Sequence, residues 1–293
     1  MTRRIATAVF VALLAASVHA DAAAIPGTFF KQRTCGASFS SLFSVLEAVG
    51  LTADQKLVCF PVTSPSSTRS MGTVTGLTGD TKIVGIDFRP ANGALYGLGD
   101  LGGIYTIDLD SAEATFRSQM NVALDGDFFG IDFNPTVDRL RIVSDSGQNL
   151  RVNVDTGATT EDLDLVYPGA MPAPGVGVAG AAYTNNDRVA DTATTLFDID
   201  STLDQLVIQS PPNNGSLAAT GKLLGDTSAD VGFDIYSSVR SDRAADNVAY
   251  ASLTVGGRAR FYRVNLLTGR ALAIGSFLTS VVVTDIAFPQ EQF

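Results

Sequence analysis

The sequence predicts an all-β fold: a five-bladed β-propeller of four-stranded blades, the last closed by N-terminal strands plus the C-terminal strand. Three observations predict it. A short motif recurs five times at near-constant spacing, and each full interval holds three more strand-like runs. The chain stops just after the fifth copy, while three unclaimed strand-like runs precede the first.

The motif is clearest in its first two copies. Gly85-Ile86-Asp87-Phe88-Arg89-Pro90 returns as Gly130-Ile131-Asp132-Phe133-Asn134-Pro135. Looser copies are Gly180-Ala181-Ala182-Tyr183, Gly232-Phe233-Asp234-Ile235 and Asp285-Ile286-Ala287-Phe288-Pro289. Starts at 85, 130, 180, 232 and 285 are separated by 45, 50, 52 and 53 residues, the length of one blade. After the first copy come the β-rich runs 94–98, 103–108 and 114–117, bounded by Gly, Asp or Asn. The second unit offers 139–143, 149–154 and 158–160; the third 195–199, 205–208 and 217–220; the fourth 248–253, 260–264 and 270–274. The fifth copy is completed by 46–51, 56–60 and 71–74 from the N-terminal side. Such closure removes the free sheet edges of a linear array. Residues 170–178, with Pro172, Pro174 and the two glycines Gly175 and Gly177, read as a loop.

The first 20 residues read as a cleaved signal peptide, with Arg3 and Arg4, an apolar stretch from Ile5 to Val18, and Val18-His19-Ala20 before the cut. The apolar run is too short for a spanning helix, which takes about 20 residues. Residues 21–44 are expected to form an arm, short-helical or extended, and 45–293 a single propeller domain. Cleavage removes His19, the only histidine, and leaves 18 Lys+Arg against 30 Asp+Glu, a net charge of −12. So acidic a chain repels nucleic acid and anionic lipid. Secretion or release into the periplasm is expected, as a monomer. Cys35 and Cys59 are the only cysteines, and in an exported chain they are expected to pair as a disulfide.

The segments GIDFRPANGALYGLG, GIDFNPTVDRLRIVSDSGQNLRVNVDTGATT, DIDSTLDQLVIQSPPNNGSL and RFYRVNLLTGRALAIGSF resemble the exported bacterial family of domain of unknown function 4394. The resemblance runs from about Leu51 to Pro289. It implies a propeller-like fold and export, and brings no activity. Cys35, Cys59 and the arm stand outside its pattern.

Without histidine, a Ser-His-Asp triad, a Cys-His pair and histidine-ligated metals are excluded. Gly99-Asp100-Leu101-Gly102-Gly103 sits between strands and reads as a hairpin turn, not a nucleotide loop. Carboxylates remain. Asp87, Asp132 and Asp234 recur at one position of the innermost strand, with Asp285 near the corresponding place. They either hold a cation in a shared channel or accept hydrogen bonds that fix blade to blade; repetition in unit after unit favours the second. Asp198, Asp200 and Asp204 form another acidic cluster with oxygen-donor spacing for calcium, without the Gly and final Glu of an EF-hand loop. Phe88, Phe133, Phe233 and Phe288 read as packing between blades.

The expected function is a non-catalytic propeller presenting loops to an extracellular ligand or protein. The alternatives are a carboxylate-dependent hydrolase of carbohydrate or ester, with or without calcium, and a structural matrix or surface protein. No catalytic residue and no organic cofactor is assigned.

Overall fold

A computed structural model describes residues 45–290 except 190 and 224. The expected signal peptide, the arm and Cys35 lie outside the described residues.

Three strands come first: β1 (Glu47–Thr52), β2 (Lys56–Pro61) and β3 (Arg69–Thr73). The first blade is β4 (Ile83–Phe88), β5 (Leu95–Gly99), β6 (Gly103–Ile107) and β7 (Ala114–Gln119). The second is β8 (Phe129–Asn134), β9 (Arg139–Ser144), β10 (Asn149–Val152) and β11 (Thr159–Glu161). A two-stranded ribbon, β12 (Val166–Tyr167) and β13 (Ala173–Pro174), follows it. The third blade is β14 (Val178–Tyr183), β15 (Leu196–Asp200), β16 (Gln205–Gln209) and β17 (Leu217–Lys222). The fourth is β18 (Thr227–Arg240), β19 (Arg243–Val255), β20 (Arg258–Val264) and β21 (Ala271–Ser276). The last strand, β22 (Val283–Ala287), pairs with β1, giving the order β22-β1-β2-β3.

That closing sheet joins the ends of the repeat region. Val49 lies opposite Ala287 and Leu51 opposite Asp285 in an antiparallel ladder. The five sheets are therefore all four-stranded and antiparallel, and form the ring of a five-bladed propeller.

Both faces of each sheet are covered by neighbouring blades, so the core is divided among the junctions. Among the described residues five buried apolar clusters occur, one at each. Leu51, Leu57, Ile86 and Phe88 join the closing blade to the first. Tyr96, Leu98, Phe133 and Leu140 join the first to the second. Val143, Val178, Tyr183 and Val207 lie between the second and third, and Phe197, Ile199, Phe233 and Leu253 between the third and fourth. The last junction is aromatic: Phe60 meets Phe261 and Phe277 edge-on, both at 5.0 Å between centroids. Phe88, Phe133, Phe233 and Phe288 are all buried in these clusters.

Two features depart from the sequence expectation. Residues 170–178 are not loop throughout, because Ala173–Pro174 pairs with Val166–Tyr167 as the small ribbon. The β18–β19 hairpin also runs well beyond the expected 232–235 and 248–253. Its ladder continues to Arg240 opposite Arg243, across a two-residue turn in which Ser241 and Asp242 have φ of 50° and 67°. Two successive left-handed residues match the twist of a tight hairpin.

Candidate functional site

The innermost strands β4, β8, β14, β18 and β22 surround the ring axis. Side chains two apart on a strand share a face, so each motif offers two levels to the axis. The first level holds Gly85, Gly130, Gly180, Gly232 and, in the closing blade, Asp285. The second holds Asp87, Asp132, Ala182, Asp234 and Ala287. Asp285 is thus not the fifth copy of the repeated aspartate but stands at the glycine level, two residues earlier. Glycine is required there by close approach. A Cβ on Gly130 would lie 2.5 Å from the Gly180 backbone, and one on Gly232 would lie 2.8 Å from the Asp285 Cα.

The aspartates reach across blade junctions. Asp87 accepts the Phe88 N–H on one oxygen and the Phe133 N–H of the second blade on the other, both at 2.7 Å. Asp234 repeats this with its own Ile235 N–H at 2.5 Å and the Phe288 N–H of the closing blade at 2.7 Å. Asp285 accepts Ile286 N–H at 2.8 Å and the Ile86 N–H of the first blade at 2.7 Å. Asp132 differs: both its oxygens are buried and have no hydrogen-bond partner.

One oxygen from each of Asp87, Asp132 and Asp234 can be chosen so that all three lie within 4.8 Å of one another. Burial raises the pKa of each. For Asp87 the charge of Asp234 adds to the rise, and two backbone N–H groups oppose it. For Asp132 the charges of Asp87 and Asp234 add to burial; the Tyr183 N–H offsets little and completes no hydrogen bond. Asp234, with two N–H donors opposing burial, is pushed up to about 7. Burial likewise lifts Asp285 well above the carboxylate range.

At the end where the inner strands begin, a cavity of about 180 Å³ opens on the axis. All five blades line it, through Ile83, Phe129, Ala179, Val231 and Thr284, with Gln55, Lys82, Asp127 and Asp230 as its polar groups. Register slips in β4, β14 and β22 fall beside Val84, Ala179 and Thr284. Such bulges re-aim side chains at strand ends.

The second acidic cluster of the sequence does not form one ligand set. Asp200 accepts Tyr167 Oη–H at 2.5 Å and Leu203 N–H at 2.8 Å. Asp204 accepts the N–H and hydroxyl of Thr227. Asp198 is fully buried with both oxygens unpartnered. Among the described residues, the axial trio is the acidic group compact enough for one ion.

Sequence reasoning missed two arginines. Arg141, 1% exposed, donates from Nη1 to Asn149 and Asp162, both at 2.7 Å, and from Nη2 to Asn213 at 2.8 Å. It fills the junction between the second and third blades. Arg89 leaves the end of β4 and grips Asp138 and Asp155 of the second blade, each through two hydrogen bonds of 2.6–2.9 Å. These carboxylates push its pKa further up and pull that of Asp155 down.

The chain is similar, at low identity and low TM-score, to several solved structures. An auxiliary nutrient binding protein from Bacteroides ovatus is 13% identical with a TM-score of 0.35, over 74% of this chain and 56% of that one. Its counterpart from Bacteroides thetaiotaomicron is 12% identical with a TM-score of 0.38, over 73% and 55%. PorZ, a surface component of the type-IX secretion system of Porphyromonas gingivalis, is 16% identical with a TM-score of 0.40, over 79% and 29%. This chain therefore spans little more than half of the Bacteroides proteins and under a third of PorZ. No curated protein matches the sequence. A family profile, described as Domain of unknown function (DUF4394), matches residues 56–287. That span takes in all four complete blades and, of the closing sheet, β2, β3 and β22, and the chain belongs to this family.

Proposed function

We propose that the protein is an exported, non-catalytic binding propeller whose ligand or partner meets the ring at the axial mouth. The carrying observation is the cavity that all five blades line, with cationic Lys82 and anionic Asp127 and Asp230 among its groups. At about 180 Å³ it is smaller than a drug-sized pocket of roughly 300–1,000 Å³. It suits a small polar molecule or one inserted side chain of a partner. Export rests on the charged, apolar and small-residue sequence of positions 1–20. A Cys35–Cys59 disulfide, buried at its Cys59 end, belongs to the same reading, since such bonds persist in oxidising compartments.

The hydrolase alternative needs carboxylates open to substrate. Asp87 and Asp234 are buried and already accept two backbone N–H groups each, which counts against it.

A thermal-shift screen of monosaccharides, disaccharides, amino acids and short peptides tests the proposal. At least one compound should raise the melting temperature in the wild type and lose its effect in Lys82→Glu or Asp230→Lys. Binding that both variants retain would place the ligand elsewhere. Turnover of a screened compound would overturn the non-catalytic reading.

A further inference from the structure

Asp132 breaks the pattern of its counterparts. Asp87 and Asp234 each satisfy one N–H in their own strand and one in the next blade. The equivalent donor for Asp132 is the Tyr183 N–H, and no such hydrogen bond forms: both Asp132 oxygens are unpartnered at 1% exposure. A buried carboxylate without a donor or counter-charge is a costly arrangement, normally met by pairing or by a metal. Its oxygens also point into a cluster rather than away from one, since Asp87, Asp132 and Asp234 bring one oxygen each within 4.8 Å of one another.

We propose that Asp87, Asp132 and Asp234 hold a divalent cation of the calcium class on the ring axis. The donors are all hard carboxylate oxygens, with neither nitrogen nor sulfur among them, which suits calcium or magnesium over zinc or copper. Calcium binds oxygen at about 2.3–2.6 Å, so two of its ligands stand up to about 5 Å apart. The observed separations fall inside that limit. Magnesium, at about 2.0–2.1 Å, limits ligand pairs to about 4 Å and gives up its water reluctantly. Asp87 and Asp234 each donate no proton in their backbone hydrogen bonds, so an oxygen lone pair on each stays available to the ion. Asp132 has all of its lone pairs available. Asp285, one level nearer the mouth, adds negative field without being needed as a ligand. The ion would connect β4, β8 and β18, three strands of three different blades, and would act as a rivet for the ring rather than as a catalyst. This inference is independent of what occupies the mouth.

The test uses the full mature chain, stripped with EDTA and then equilibrated with calcium chloride or magnesium chloride at neutral pH. Bound metal is measured by elemental analysis, and melting is followed in parallel. One calcium per chain is expected, with melting raised by about 5 °C or more at saturation and a weaker response to magnesium. Asp132→Asn should bind calcium at least tenfold more weakly and melt independently of it. Asp198→Asn, which alters an equally buried and unpartnered carboxylate away from the trio, should keep the full stoichiometry. Wild type that takes up neither metal overturns the proposal, as does Asp132→Asn that binds calcium normally. If Asp132→Asn does not fold, Asp87→Asn is read by the same two criteria.

Discussion

Asp87, on the inner strand of the first blade, accepts the backbone N–H of Phe133 on the inner strand of the second at 2.7 Å, in addition to the N–H of its own neighbour Phe88. The second and first blades are thereby tied at the axis by one side chain. The same tie links the fourth blade to the closing one through Asp234 and Phe288.

Removing the tie strands two buried donors. Each unsatisfied buried N–H costs about 1–3 kcal/mol, so with two of them stranded Asp87→Ala should lower stability by about 2–6 kcal/mol. Asp234→Ala should lose a similar amount, as both side chains have the same two kinds of partner. Urea unfolding, followed by circular dichroism in EDTA so that no calcium-linked stability enters, reads both values. Losses below about 1 kcal/mol in both variants would show that water or backbone movement replaces the ties.

Ring closure makes a different prediction. β22 is the inner strand of the closing sheet and pairs with β1, while Ile286 and Phe288 pack with Phe60, Tyr236 and Tyr250 across the junction to the fourth blade. Ending the chain after Thr284 removes that strand's buried end and the Asp285 tie to Ile86. It also exposes the edge of β1. The whole ring should lose cooperative unfolding, rather than one sheet alone. A truncated chain with the wild-type melting temperature would mean that closure contributes nothing.

Arg89 links the first and second blades at the exit of β4. Its guanidinium makes paired hydrogen bonds to Asp138 and Asp155 and a further one to Tyr96 Oη at 3.1 Å. The arginine is buried, but Asp138 and Asp155 are 37% and 50% exposed in their side chains, so solvent screening reduces what the charges contribute. Arg89→Ala should cost about 2 kcal/mol, chiefly through lost hydrogen bonds and packing. Arg89→Lys should recover less than half, because an ammonium cannot fork to two carboxylates. Equal stability of the lysine variant and the wild type would argue that charge alone suffices.

Much of this architecture was legible because the motif repeats. Gly85 to Pro90 and Gly130 to Pro135 mark β4 and β8, and the intervening β-rich runs fall within a few residues of the observed strands. Closure was legible because the fifth copy lacked partners that the N-terminal runs supply. Other features were hidden by the physics of the fold. In a propeller both faces of a sheet are covered, so Arg139-Leu140-Arg141-Ile142, which alternates like a half-exposed strand, conceals a fully buried Arg141. Its polar partners Asn149, Asp162 and Asn213 are 8, 21 and 72 positions away, too dispersed to mark a site in sequence. The turn end of the β18–β19 hairpin carries Ser237-Ser238-Val239-Arg240 and Arg243-Ala244-Ala245-Asp246, which lack a regular apolar alternation. Of the axial site, the four aspartates were visible, but not the displacement of Asp285 to the glycine level. Nor could sequence show that Asp132 alone among them makes no hydrogen bond.

Asp198 provides the pH test. It lies on β15 with both oxygens buried and unpartnered. Burial raises its pKa well above the ordinary value, and the positive charge of Arg141 opposes that rise only in part. A carboxyl whose folded pKa exceeds its unfolded value near 3.9 holds its proton longer in the native state. Its stabilising contribution is complete below about pH 4 and declines as pH rises, until it is lost on passing the folded value. Asp198→Asn replaces the acid with a neutral group of the same shape that does not titrate. The variant should therefore match the wild type near pH 4 and melt higher at pH 8, with a flatter profile between. Melting curves from pH 4 to pH 8 at constant ionic strength decide the matter. A variant that melts lower than the wild type throughout the upper half of that range would show Asp198 ionised and paired with Arg141. The junction between the second and third blades would then be held by a charge pair across its polar core, in place of a neutral acid.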